Sequence, residues 1–559
     1  MLLCTYFIAS AAMLTVIQPP ISFFFLAWVA FVPFILACSP EVKRSHLLLI
    51  TYIISLFYWL GNLYWIAPVT TAGWLAFCIY TALLWPMLAL SLQFCRIKNI
   101  PLFIAVPLLI VGAERLQGLF LGGFFWRHLS HSQYQHITLI QIADIFGAGG
   151  LSFLIAMVNG LAAELIIALR EKKIFKPNYL AKSALVIAAL IATIFYGRWR
   201  ISQSEQFIED GPLVASLQSN VPQSVKQSAQ NSEEIFNNLL QQSKQAAEAS
   251  AQLIVWPETM VQAMLDENIW QYLKSPEQDK NLNETLCQHA KNNAFVLVGA
   301  YGAGIIQDTK YDLSLARYNS AFLYNPDGQK DNKRYNKIHL VPFGEVVPFK
   351  KSFPRLYNLL MKFTPYDYDY SLNYGSEYTV FEMPAAKERP QQRYRFGVMI
   401  CYEDAVPYIA RNFAIDENGQ KRLDWLVNIS NDGWFVRFDN QKALPTTELS
   451  QHAAVCVFRA VENRLAVLRS VNTGISCLID TFGRIKNGFF AGNLPKKAME
   501  RTACQGWFVD KIPIDKRITF YSKTGQWLDF CCALLLVLAT IAAIKKPKNW
   551  KPNRDKKYE

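Results

Sequence analysis

The chain runs to 559 residues, of which 52% are hydrophobic, and carries a formal net charge of +13. That length exceeds what one ordinary domain needs, and that apolar fraction is high for a water-soluble protein of this size, so part of the chain belongs in lipid. The eleven cysteines show neither metal-ligand spacing nor a disulfide framework, and the basic residues come with no nucleic-acid recognition motif, which argues against a zinc protein, a disulfide scaffold and a nucleic-acid binder.

From the N-terminus, apolar stretches at 2–17, 21–38, 46–66, 73–94, 101–122, 146–169 and 183–199 each read as a membrane-spanning helix of about 20 residues, and an eighth follows at 526–544. The first lacks a basic leader and a small-residue cleavage site, and Pro19-Pro20 turns it into the second; the reading is a retained helical hairpin, not a signal peptide. Basic residues fall on alternate connections: Lys43 and Arg44, then Arg96 and Lys98, then Arg170, Lys172, Lys173 and Lys176, with a last cluster between Lys545 and Lys557. Cytoplasmic loops accumulate Lys and Arg, so seven crossings in residues 1–200 put the polar segment 205–520 on the outer face, and the span at 526–544 returns the basic tail 545–559 to the cytoplasm. Cys4, Cys38, Cys78, Cys95, Cys531 and Cys532 lie in or beside spans, where a thiol behaves as a small apolar side chain.

The polar segment alternates β-rich runs at 212–217, 253–256, 296–301, 320–324, 395–400, 425–429, 465–470 and 475–480 with helical patterns at 233–249, 282–292, 405–415 and 447–463. That alternation predicts an α/β domain. Residues 350–374 fit neither pattern and are too apolar for disorder. Two readings stand: an arm that dips into the outer leaflet, and a helix-turn packed in the core.

Three residue types in this segment have the chemistry for covalent work on an acyl group. Cys401 ends the apolar run RFGVMI and opens CYED; at the start of a helix, a thiol gains from the N-terminal partial charge and from free backbone N–H groups that can face an oxyanion, while the alternative is an inert buried thiol. Glu258, in VWPET at the end of a buried strand, suits a general base, and its alternative is a first-turn helix glutamate. Lys337, in YNKIHLVPFGE, would by itself be a solvated charge, but Glu345 follows within eight residues.

The motifs VWPET, YNKIHLVPFGEVVPF and GVMICYED, with NDGWF further on, resemble those of the carbon-nitrogen hydrolase (nitrilase) superfamily. With seven spans before them and one after, the chain looks like the membrane branch of that superfamily, the apolipoprotein N-acyltransferases. The resemblance implies an αββα sandwich as the extramembrane domain, with Glu258 as proton acceptor, Lys337 as stabiliser of the tetrahedral intermediate and Cys401 as nucleophile. Glu345 matches a second glutamate that supports the lysine, Tyr402 and Glu403 match the residues after the nucleophile, and Asn431, Asp432 and Trp434 match a motif that shapes the pocket wall. It also implies a bacterial inner membrane location with the catalytic domain on the periplasmic face, a phospholipid acyl donor, a diacylglyceryl-cysteine apolipoprotein as acceptor, no metal or organic cofactor, and a monomer.

The chain departs from the family pattern at Phe125, where a proline is usual, at Ser130-His131, which replace Gly-Tyr, and at Gln227, where a tryptophan is common. These departures bear on acceptor handling more than on acyl chemistry. Two rivals stand beside transfer: a membrane-tethered amidase or nitrilase that resolves the acyl-enzyme with water, and a non-catalytic scaffold that binds lipoproteins.

Overall fold

The computed structural model describes residues 2–119, 122–174, 176–223, 229–307, 313–350, 352–362, 369–385, 393–439 and 442–545. The chain divides into two compact units: residues 1–64, 74–198 and 526–559, and residues 65–73 and 199–525.

Among the described residues of the whole chain, five helices are long and apolar enough to cross a membrane: Arg44–Asn62, Thr71–Ile97, Ala148–Arg170, Pro177–Ser202 and Trp527–Ile544. The stretches predicted to span at 2–17, 21–38 and 101–122 fold as shorter pieces. They are Leu2–Val16, a 3₁₀ turn Phe24–Trp28 followed by Val32–Ala37, and Leu102–Gln117. Prolines account for much of the shortening, since Pro has no N–H to donate and clashes with the preceding turn. Pro19-Pro20 follow the first piece, Pro33 stands at the start of Val32–Ala37, and Pro101 precedes Leu102–Gln117, which runs through Pro107 unbroken.

Of the departures from the family pattern, Phe125, Ser130 and His131 are buried in this first unit. The Phe125 ring lies against Gly118, where any side chain would collide with it. Ser130 donates its backbone N–H to Ser152 Oγ at 3.0 Å, and His131 Nδ1 accepts the backbone N–H of His128 at 3.3 Å. Gln227 lies outside the described residues.

The second unit is built on two sheets. The strands are β1 (Ile208–Gln218), β2 (Leu253–Val255), β3 (Val261–Met264), β4 (Phe295–Gln307), β5 (Leu313–Tyr324) and β6 (Lys330–Asn336). They continue as β7 (Phe381–Pro384), β8 (Arg393–Ile400), β9 (Trp425–Ser430), β10 (Arg437–Asp439), β11 (Lys442–Leu444), β12 (Ala466–Val471), β13 (Cys477–Ile479), β14 (Ala491–Gly492) and β15 (Gly506–Asp515). One sheet has the order β14-β15-β1-β2-β4-β5-β6, with β3 paired to β4, and the other the order β13-β12-β9-β8-β7. β1, β2 and β4 are parallel, as are β8, β9 and β12, and every residue of β2, β9 and β12 is buried, as in strands covered on both faces.

Buried serines join the sheets face to face. Ser216 Oγ donates to the Arg469 carbonyl at 2.8 Å, and Ser470 Oγ lies 2.8 and 2.9 Å from the Leu217 and Val255 carbonyls. Helices Ala229–Glu248 and Glu277–Ala290 cover the first sheet, where Ile235, Phe236, Leu239 and Leu286 pack on Leu217, Trp256, Val296 and Phe322. Helices Pro407–Ala414 and Thr447–Asn463 cover the second, so the layers run helix, sheet, sheet, helix.

Inside 350–374, helix Pro354–Met361 buries none of its residues, which removes the core-packing reading of that helix. Phe353 is 63% exposed and Leu359 51%.

Candidate active site

Strand ends and the loops that follow them bring the three chemical residues together. β2 ends at Val255 and delivers Glu258 through Trp256-Pro257; the next residue, Thr259, turns the chain with φ +48°. β6 ends at Asn336 and delivers Lys337, whose backbone N–H donates to the Asn319 carbonyl of β5 at 2.8 Å. β8 ends at Ile400, and Cys401 has φ +53°. For a residue with a Cβ, that left-handed backbone costs about 1–2 kcal/mol and persists only where the surroundings enforce it. Asn428 enforces it in part: its Nδ2 donates to the Cys401 carbonyl at 3.1 Å.

Lys337 is 1% exposed, and its Nζ sits 2.8 Å from Glu345 Oε2 and 3.6 Å from Glu258 Oε1. Burial alone would disfavour the ammonium, but the Glu345 and Glu258 carboxylates outweigh it and hold the Lys337 pKa above its ordinary value. Asn319 Nδ2 donates to both carboxylates, at 2.7 Å to Glu258 Oε1 and 2.9 Å to Glu345 Oε1. The other Glu258 oxygen accepts the backbone N–H of Asn431 at 2.8 Å. Each glutamate is thereby held at both oxygens, Glu258 buried and Glu345 partly so.

The Cys401 thiol feels both charges. Burial pushes its pKa up and the Glu258 carboxylate adds to the rise, while the Lys337 ammonium opposes them without prevailing. The expectation of a thiolate favoured by a helix N-terminus is corrected here. Residues Cys401–Ala405 form a 3₁₀ turn, and the α-helix starts only at Pro407. Sγ becomes a nucleophile when a base takes its proton.

Glu403, fully buried, ties this turn to the lysine loop. It accepts N–H bonds from Ile400 at 2.8 Å, Ile338 at 2.7 Å and His339 at 2.9 Å, and the Tyr335 hydroxyl at 2.8 and 2.9 Å. Burial pushes its carboxyl up to about 7, against the pull of the Ile400 and His339 N–H groups. Tyr402 is half-buried, with its ring 5.8 Å from that of His339.

Asn431 and Asp432 are 0% exposed, and the Asn431 backbone N–H is the one that holds Glu258. Asn431 Oδ1 accepts from Asn472 Nδ2 at 2.8 Å and its Nδ2 donates to Gln223 Oε1 at 2.9 Å, while Asp432 accepts from Ser430 Oγ at 2.6 Å. Trp434 does reach the surface, at 37% exposure. Neighbouring Phe435 meets Trp65 edge to face at 5.0 Å.

Asn319 was not singled out from the sequence. Its signal is a polar side chain inside the β run RYNSAFLY, where only a partnered polar group is tolerated in a core.

Residues 213–493 match the carbon-nitrogen hydrolase family, and residues 10–161 match the N-terminal domain of apolipoprotein N-acyltransferase. Over 542 residues, 93% of this chain and 91% of the relative, the sequence is 32% identical to the apolipoprotein N-acyltransferase of Geobacter metallireducens. It is 25% identical over 541 residues to apolipoprotein N-acyltransferase 1 of Treponema denticola, covering 92% of this chain and 90% of that one. Among solved structures, an amidase from Nesterenkonia sp. aligns with 56% of this chain and 93% of its own at 15% identity and a TM-score of 0.34. The chain belongs to the apolipoprotein N-acyltransferase family, with a carbon-nitrogen hydrolase domain over residues 213–493.

Proposed function

We propose that this chain moves a fatty acyl group from a phospholipid to the N-terminal amine of a diacylglyceryl-cysteine apolipoprotein, through a thioester on Cys401. The observation that carries the reading is the buried Lys337 ammonium set between Glu258 and Glu345, whose charges act on the Cys401 thiol.

Glu258 takes the Sγ proton as Sγ attacks the ester carbonyl carbon. The oxyanion that forms is stabilised by the Lys337 ammonium and by backbone N–H groups of the Cys401 turn. Collapse breaks the acyl C–O bond; the glycerol oxygen takes the proton from Glu258 and the lysophospholipid leaves. The acceptor amine then attacks the thioester, Glu258 receives an amine proton, and expulsion of the sulfur leaves an amide. Sulfur recovers its proton from Glu258, which closes a ping-pong cycle with no net change in protons or electrons.

We further read eight crossings, with Leu2–Val16, the 24–37 region and Leu102–Gln117 as short spans completed by their flanking turns. The alternating basic loops support a reading with the catalytic domain on the periplasmic face of the inner membrane. The chain passes from the Pro177–Ser202 helix to β1 within a few residues, and from the Phe520–Thr524 turn into Trp527–Ile544, so the domain is tethered to the membrane at both ends. Extracting a diacyl lipid into water would cost about 0.8 kcal/mol per CH₂, tens of kcal/mol in all, which a tethered site avoids. The exposed Phe353, Leu356 and Leu359 of the 350–374 region are suited to touch the leaflet and guide acyl chains.

The test is incubation of purified protein with phospholipid and a diacylated lipopeptide, read by mass spectrometry. A third acyl chain on the peptide is the expected product, and free fatty acid in its place would show hydrolysis.

A further inference from the structure

Behind the triad lies a second group of buried charges. His452, on helix Thr447–Asn463, has Nε2 2.7 Å from Asp404 Oδ1 and Nδ1 3.2 Å from Asp432 Oδ1 and 3.1 Å from Glu448 Oε1. Arg469 of β12 pairs with the other Asp404 oxygen and stands 3.7 Å from Asp432 Oδ2. None of the five side chains is more than 2% exposed. The Asp432, Glu448 and His452 atoms are close enough to hold a metal ion, but Arg469 already supplies a cation at Asp432.

The positions of the two aspartates give this cluster its meaning. Asp404 is in the 3₁₀ turn that begins with Cys401, and Asp432 is next to Asn431, whose N–H holds Glu258. One imidazole therefore bridges the turn bearing the thiol and the turn gripping the base. Both ring nitrogens face carboxylate oxygens, so an imidazole that donates from both is the form that fits. We propose that His452, as an imidazolium, is a positioning residue that clamps the Cys401 turn to the Asn431–Asp432 turn and so sets the approach of the thiol to Glu258. The inference rests on the proposed roles of Cys401 and Glu258.

Burial opposes the imidazolium, but Asp404 and Asp432 outweigh it and raise the His452 pKa well above its ordinary value. Glu448, on the same helix, is pushed up to about 7 by burial and by the Asp432 charge. With Glu448 protonated, His452 and Arg469 balance Asp404 and Asp432. Burial raises the thiols of Cys456 on that helix and Cys477 on β13.

The experiment measures single-turnover acylation of full-length protein by a phospholipid with a fluorescent acyl chain, over a range of lipid concentrations. His452→Gln is expected to slow acylation at saturating lipid by about tenfold or more, the scale set by a sub-ångström to 1 Å misplacement, while half-saturation stays within about twofold. An unchanged rate, or a loss that lies wholly in half-saturation, would overturn the clamp. If His452→Gln does not fold, by its thermal transition, Asp432→Asn loosens the other end of the bridge, with the same split expected and the same results contradicting it. Cys401→Ala run in parallel separates the two layers: persistent labelling there removes the thioester reading itself, whereas no labelling there with a wild-type rate in His452→Gln removes the clamp alone.

Discussion

The backbone N–H of Asn431 donates to Oε2 of Glu258 at 2.8 Å, a bond between residues 173 positions apart that joins the two sheets at the reacting centre. Asn319 Nδ2 meets the other oxygen, so both oxygens of this carboxylate act as acceptors in the resting site. A glutamine has only one acceptor oxygen and would turn its amide N–H groups toward one of these donors. Glu258→Gln is therefore expected to lower thioester formation by about 10²–10⁴-fold, the range for loss of a general base. Rapid-quench acylation with labelled phospholipid measures this, and activity within a few-fold of wild type would deny Glu258 the role.

Lys337 balances two buried carboxylates, so its removal acts on both stability and rate. Breaking a buried pair by deleting one partner costs about 3–5 kcal/mol. Lys337→Met, which keeps the length of the side chain, is expected to lower the thermal transition and to cut acylation by about 10²–10³-fold, as for loss of an oxyanion donor. A variant that is destabilised but acylates at the wild-type rate would restrict the lysine to a structural role.

Glu403 gives a pH signature. Its folded pKa of about 7 lies above its unfolded value, so between about 4.5 and 7 the folded state holds a proton that the unfolded state has released. The stability this contributes is present below that window and is lost as pH rises through 7. Glu448 runs in the same direction, while His339 and His289, both lowered to about 4 chiefly by burial, run the opposite way below about 6.5. The difference between wild type and Glu403→Gln isolates one group. That variant is expected to lose about 1–3 kcal/mol through unmatched donors, with a larger gap in thermal transition at pH 5 than at pH 8. A gap that widens toward alkaline pH would contradict the assignment.

The exposed helix Pro354–Met361 separates lipid handling from chemistry. Replacing Leu359, Leu360 and Met361 with serine is expected to change stability by less than about 0.5 kcal/mol per site, since none is packed in the core. Turnover of vesicle phospholipid should fall several-fold while a small water-soluble ester is processed as before. Equal loss on both substrates would assign the helix to the site's framework.

The β runs that became central parallel strands were legible because they are mostly apolar: residues 395–400 and 425–429 fall within β8 and β9, and helix 447–463 has the bounds predicted. The polar strand β6 was not, because Lys330–Asn336 carries charges on an edge where only one neighbour pairs with it. β15 was missed for a related reason: its partner β1 lies some 300 positions earlier, and neither apolar continuity nor a turn marks that pairing. In the site, the ends of apolar runs pointed to Glu258 and Cys401, and Lys337 stood out by the Glu345 that follows within eight residues. The groups that hold them, Asn319, Asp404, His452 and Arg469, read in one dimension as ordinary polar positions. Their meaning comes from four distant segments meeting, which no local pattern encodes.

The most direct test of the account is the intact mass and peptide map of protein incubated with phospholipid and no acceptor. The account predicts one added acyl group on the Cys401 peptide, released by neutral hydroxylamine, discharged by a diacylated lipopeptide and absent in Cys401→Ala. Acyl transfer to lipopeptide by Cys401→Ala, or an acyl group carried on a different residue, would contradict it.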